Sequence, residues 1–369
     1  MAMWVVYMLK RLLFIVLGVL ILTSGCSKFN NEKEIRFDGG LITNKTEDFK
    51  LGKREQVKLN DKNQIILEDN KIEGRYISPV ICTDKFKELV SSWNVDTPYG
   101  TEIELSFQVR VNDKWSRWLS YGKWTSDEER GSIKDQGDDI ANMDIDTLQI
   151  LGGKEADAFK YNIILTRKNI KYDSPKVRSI FTTLKLSKEI TSVFVEDKKW
   201  LRELDVLERS QKIVSEIGNR ICSPTSLSMV LEYYGYKIDT EEVAANVLDK
   251  SIDIYGNWSY NVAYAGSKGL TSYVARFNSV DEIKDKISDG IPVIASIRTN
   301  SEDALIGAPT IYPSGHLLVV RGFTIKDGEE YIIVNDPAAP DNHSVRIEYK
   351  LSEFEKAWSK IVYILKDGE

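Results

Sequence analysis

The chain has 369 residues, a formal net charge of −6, and a composition that is 42% hydrophobic and 29% charged. That length exceeds one typical core and predicts two domains, and the acidic balance, with no Lys/Arg stripe interleaved with aromatics, argues against nucleic-acid binding. Three cysteines are too few for a disulfide framework, and two histidines leave little room for a His-rich metal site.

At the N-terminus Lys10-Arg11 precede an apolar run from Leu12 to Leu22, followed by Thr23-Ser24-Gly25-Cys26. A basic segment, a short apolar segment and small residues before a cysteine read as a bacterial lipoprotein signal over 1–26, with Cys26 as the lipid-attachment residue. A plain transmembrane anchor or a cleaved secretion signal is the alternative reading. Each reading puts the rest of the chain outside the cytoplasm, at the membrane surface for the lipid-anchored form. The polar stretch 27–40 then reads as a tether.

Residues 41–190 carry a period of two. Ile103, Leu105, Phe107, Val109 and Val111 alternate with polar residues across Thr101–Val111, as in a half-buried antiparallel strand. Asn112-Asp113 supplies a turn before Trp115, and further strands are expected at Tyr161–Leu165 and Val177–Leu186. The pattern predicts an antiparallel β-sandwich. Trp93, Trp115, Trp118 and Trp124 cluster here. They read as packing residues or as an aromatic platform for a sugar or cell-wall ligand. Cys82, beside Pro79, Val80 and Ile81, reads as a small buried hydrophobe.

Over 200–369 the pattern changes to helices and then strands. In Arg220-Ile221-Cys222-Ser223-Pro224, Ser223 reads as a helix cap and Pro224 as a first-turn residue. Apolar Leu227, Val230, Leu231 and Tyr234 continue the helix to Gly235. A thiol at that end feels the positive end of the helix dipole and favours its thiolate. Thr240 opens a second helix, and Val280, Ile283 and Ile287 share the face of another that ends at Asp289-Gly290. A strand is expected at Val293–Ile297. Two more apolar runs carry an ionisable residue at one end, His316 in Gly315–Gly322 and Asp336 in Tyr331–Pro337.

Helix with cysteine, strand with histidine, strand with aspartate is an order that fits a papain-like cysteine hydrolase. In that chemistry Cys222 attacks a carbonyl, His316 protonates the leaving amine, and Asp336 orients the imidazole. The oxyanion needs the Cys222 backbone N–H and one side-chain donor, for which Gln211 is the upstream candidate. His343 reads as a solvated loop residue, and Trp258 as a packing residue near the cleft.

The stretch Asn219–Gly235 resembles the nucleophile motif of C39-like cysteine peptidases, of the papain-like class. Tyr255–Ala265, Gly315–Phe323 and Val334–Ala339 are similar to the segments that follow it in that family, in the same order. The resemblance spans about Leu201 to Leu365 and implies a cysteine peptidase with Cys222 as nucleophile, His316 as base and Asp336 as orienting acid. The β-rich region before it, with Ser92-Trp93-Asn94 and Trp115-Ser116-Arg117-Trp118, resembles the leader domain seen ahead of such peptidase domains. The expected fold is α+β, a β-sandwich followed by a papain-like domain. Bacteriocin-maturing members are fused to ABC exporters; no ATP-binding loop is read here, so that role is not expected. No cofactor or metal is expected. The expected partners are a peptide or protein substrate, the membrane through a lipid anchor, and the cell wall through the β domain. A catalytically inactive binding lipoprotein that captures a ligand with its β domain is the alternative function.

Overall fold

Alternation of apolar and polar residues builds the first half of the computed structural model, which describes residues 36–38, 40–127, 129–188 and 199–368. The signal segment with Cys26, and most of the tether, lie outside the described residues. Among the described residues no helix is long and apolar enough to cross a membrane.

The main strands of the first half are β1 (Leu41–Lys45), β2 (Ile81–Asp96), β3 (Thr101–Val111), β4 (Leu119–Thr125), β5 (Ala156–Arg167) and β6 (Lys176–Leu186). All pair antiparallel. Strand β2 pairs with β5 near Ile81–Phe86 and with β6 from Phe86 to Asp96, so it crosses between two layers. One layer holds β1, β6 and β2; the other holds β5, β3 and β4. Inward residues close the sandwich. The Trp93 ring on β2 meets Tyr121 and Trp124 of β4 edge-on at 6.3 and 6.4 Å, and Tyr121 Oη donates to the Leu89 carbonyl at 3.0 Å. Asn112 and Asp113 adopt φ of 49° and 62° in a two-residue hairpin between Val111 and Lys114. Both residue types tolerate that left-handed conformation.

One expectation divides and one changes here. Trp93 and Trp124 are core residues, whereas Trp115 and Trp118 stay half-exposed at the rim. Cys82 is half-buried on β2 rather than packed fully inside as a small apolar side chain. Its side chain sits at a strand position that faces partly outward, which its apolar sequence neighbours do not reveal.

The second half has helices α1 (Cys222–Tyr233), α2 (Thr240–Val247), α3 (Trp258–Ser267), α4 (Val280–Ser288) and α5 (Leu351–Ala357). Its strands are β7 (Thr271–Arg276), β8 (Val293–Ile297), β9 (His316–Lys326), β10 (Glu329–Asn335), β11 (Arg346–Lys350) and β12 (Trp358–Lys366). They form one antiparallel sheet in the order β7-β12-β8-β9-β10-β11. A capping box between Ser279 and Glu282 starts α4. Ile221 stands at the N-cap of α1, not Ser223. Ser223 lies inside the first turn, where its hydroxyl bonds Tyr363 Oη at 2.9 Å instead of a backbone N–H.

The described residues belong to one compact unit. Helix α3 packs on β2 of the sandwich, where Ser259 Oγ donates to the Ser91 carbonyl at 2.6 Å. Asn94 Nδ2 donates to the Ser272 carbonyl at 2.7 Å, and the Ser272 N–H returns to Asn94 Oδ1 at 3.2 Å. A Cβ on Gly266 would lie 2.6 Å from Asn94 Nδ2, so glycine is what allows this close approach. Asp146, at the tip of the hairpin formed by Ala141–Asp144 and Thr147–Ile150, accepts the first N–H of α3, that of Trp258, at 2.6 Å.

Candidate active site

Three elements deliver the ionisable groups to one place. Cys222 is the first residue of α1. His316 opens β9, directly after Gly315, whose φ of +94° turns the chain into the strand. Strand β10 runs back along β9, with Asn335 opposite Val319, and so returns Asp336 to the start of β9. Helix α1 is fixed against that start because Ser226 Oγ donates to the Leu317 carbonyl at 3.0 Å. Leu317 is the neighbour of His316, so the helix and the strand cannot slide independently.

His316 joins the other two. Its Nε2 lies 2.7 Å from Asp336 Oδ1, and the ring also hydrogen-bonds the Cys222 thiol. With Nε2 committed to the carboxylate, Nδ1 is the nitrogen left for sulfur. His316 and Asp336 are 3% and 0% exposed. Cys222 is closely surrounded but keeps partial exposure.

Burial alone would neutralise each of these groups. It pushes the Cys222 thiol up, but the hydrogen bond and positive charge of His316 pull it below its ordinary value. Burial pulls the imidazole down, but the Asp336 charge and hydrogen bond, joined by Cys222, raise it to about 10. Burial likewise raises Asp336, and His316 and its hydrogen-bond donors bring it below the usual carboxylate range. Opposite charges at hydrogen-bond distance outweigh desolvation at all three positions. All three shifts run in the direction that favours thiolate, imidazolium and carboxylate together.

Asp336 is held by more than the histidine. Tyr312 Oη and Tyr349 Oη donate to its Oδ2 at 2.8 and 2.9 Å, and the Ala338 N–H donates to Oδ1 at 3.0 Å. The Tyr312 ring also stacks on His316, with centroids 4.0 Å apart and planes 6° from parallel. The tyrosines are residues that sequence reasoning missed. Tyr312 lies four positions before His316, a weak signal. Tyr349 arrives through the pairing of β11 with β10, where it faces Ile332, and no local pattern marks it.

Gln211 is buried at the start of a 3-10 turn, Gln211–Ile213. Its backbone N–H donates to the Pro337 carbonyl at 2.8 Å, next to Asp336. Its Nε2 donates to the Gly218 carbonyl at 2.8 Å, while Oε1 is buried without a partner. His343 is exposed in a short 3-10 turn, Asn342–Ser344. Trp258 is half-buried against the core. Among the described residues no group of three His, Cys, Asp or Glu side chains suits a metal ion.

Comparison with known proteins agrees with this chemistry. Residues 203–365 match the Peptidase_C39 like family, and residues 41–184 match the Peptidase C39 N-terminal domain. No curated protein matches the chain. Among solved structures, a double glycine motif protease from an AMS/PCAT transporter is 22% identical over 45% of this chain and 94% of its own, with a TM-score of 0.32. The peptidase domain of Streptococcus ComA, a bifunctional ABC transporter, is 17% identical over 42% of this chain and 98% of its own, with a TM-score of 0.30. The chain belongs to the C39-like peptidases: it is a cysteine peptidase whose catalytic-type domain follows a Peptidase C39 N-terminal domain.

Proposed function

We propose that Cys222, His316 and Asp336 are the catalytic triad, and that the protein hydrolyses peptide bonds through a thioester at the extracytoplasmic face of the membrane. The observation that carries this reading is the placement of one imidazole between the Cys222 thiol and the Asp336 carboxylate. The thiolate attacks the carbonyl carbon and pushes its electron pair onto oxygen. The Cys222 backbone N–H, at a helix start and without an intrahelical partner, stabilises that oxyanion, and Gln211 is the candidate second donor. The imidazolium gives its proton to the departing amine, which leaves a thioester. Neutral His316 then takes a proton from water as water attacks, and the thiolate is regenerated. Asp336 keeps the imidazole oriented and its charge balanced throughout.

Support for the location comes from the sequence: Lys10-Arg11, the apolar run to Leu22, and Cys26 as the acylated residue of the mature lipoprotein. The substrate is a peptide or protein reachable from that surface. Cys222→Ala should abolish hydrolysis of a peptide library and labelling by a thiol-directed probe. Hydrolysis retained by that variant would overturn the assignment.

A further inference from the structure

The N-terminal sandwich carries a concave site of its own, lined by none of the three residues Cys222, His316 and Asp336. A cavity of about 420 Å³ opens on the outer face of the β5-β3-β4 layer, within the size range of small-ligand sites. Its floor is made of cross-strand rows. Ile77, on the short strand Glu73–Ile77, faces Asn162 of β5, which faces Ser106 of β3, which in turn faces Ser120 of β4. The parallel row is Arg75, Ile164 and Glu104. Arg117, Trp118 and the segment 133–136 form the walls.

Two observations mark this face as more than solvated sheet. Asn162 is 8% exposed, and its Oδ1 is buried without a hydrogen-bond partner although the residue lines the cavity. An unpaired buried amide oxygen costs free energy that a ligand hydroxyl would recover. Trp118, left half-exposed while Trp93 and Trp124 are core, stands in the same cavity wall. We infer that this cavity binds a saccharide, with Trp118 against the apolar face of a sugar ring and Asn162, Arg75 and Glu104 meeting its hydroxyls.

The chemistry of the lining selects that class. Each sugar hydroxyl both donates and accepts, and the site offers donors in Arg75 and Arg117 and acceptors in Glu104 and Asn162 Oδ1. Basic and acidic side chains are mixed around the rim, which disfavours an anion site. Strands β5 and β3 are paired on both sides, and the outer edge of β4 is met by the Gln136 side chain at the Ser120 backbone and by Gly131 at the Lys123 backbone, which leaves little free edge for an extended peptide to add to.

The test uses the full chain and four soluble tetrasaccharides, those of β-linked N-acetylglucosamine, glucose, mannose and galactose, read by isothermal titration calorimetry. At least one should bind with a Kd of about 1 mM or tighter. Trp118→Ala and Arg75→Ala should each weaken that binding about tenfold, with peptide hydrolysis and thermal stability unchanged. Arg75 is exposed, so its variant keeps the test informative if loss of Trp118 disturbs the turn. Silence of all four sugars at about 10 mM, undiminished binding in both variants, or a random peptide pool whose binding depends on the same two residues would each overturn the assignment.

Discussion

Tyr312 touches both partners of the His316–Asp336 pair: its ring lies flat on the imidazole and its hydroxyl reaches Asp336 Oδ2. The stack shields one face of the ion pair, and the hydrogen bond keeps the carboxylate from turning. Tyr312→Phe preserves the first function and removes the second. It should lower kcat by about 10- to 100-fold, the worth of one hydrogen bond to a charged group, with KM little changed. A larger rise in KM than fall in kcat would mean that Tyr312 binds substrate rather than positioning Asp336.

Asp336→Asn removes the largest favourable influence on the imidazolium. His316 is raised to about 10 by its partners, so the charged form required by the thiolate pair persists until alkaline pH. Without the carboxylate charge that limit must fall. The pH–rate profile of the variant should lose its alkaline shoulder, and kcat should drop by about 10²-fold. An unchanged alkaline limb would separate Asp336 from the titration of His316.

Gln211 supplies a separable test of the oxyanion site. Gln211→Ala should reduce kcat by about 10²-fold and leave alkylation of Cys222 by iodoacetamide unaffected, because alkylation forms no tetrahedral oxyanion. Because its Nε2 also holds the Gly218 carbonyl, a purely structural role would instead change thermal stability and alkylation together.

The contact between the two halves is predicted to respond to pH. Asp146 is 7% exposed, and burial pushes its carboxyl up to about 7, although the Trp258 N–H pulls the other way. A raised carboxyl means that the folded state holds a proton the unfolded chain has released. Its favourable contribution is therefore present at low pH and declines as pH rises between about 4 and 7. Asp146→Asn stays neutral and can still accept the Trp258 N–H. Relative to the wild type it should gain stability across that window, by up to about 4 kcal/mol. Urea unfolding of both proteins at several pH values measures this, and parallel curves would refute it.

Much of the secondary structure was legible because burial writes its own period into the chain. Thr101–Val111 and Val293–Ile297 are strands with the bounds that the apolar pattern and turn residues predict; Thr240 opens a helix as expected, and Val280, Ile283 and Ile287 lie on one that stops at Asp289. The cap of α1 was misread because Ser223 and Pro224 are good first-turn residues, and the competing bond to Tyr363 comes from a strand far along the chain. Of the candidate site, the residue types and their order could be read from the motifs. The supports could not. Tyr349 depends on sheet register, and Asp146 on the docking of one domain against the other. Such non-local geometry leaves no periodic trace.

The state of the Cys222 sulfur tests the account most directly. Its alkylation rate by iodoacetamide should be measured against pH in the wild type and in His316→Ala. The wild type should react as a thiolate well below the ordinary thiol range and keep reacting up to the imidazolium limit, while the variant should titrate as an ordinary or raised thiol. Identical profiles for the two proteins, both those of an unperturbed cysteine, would contradict the thiolate–imidazolium pair.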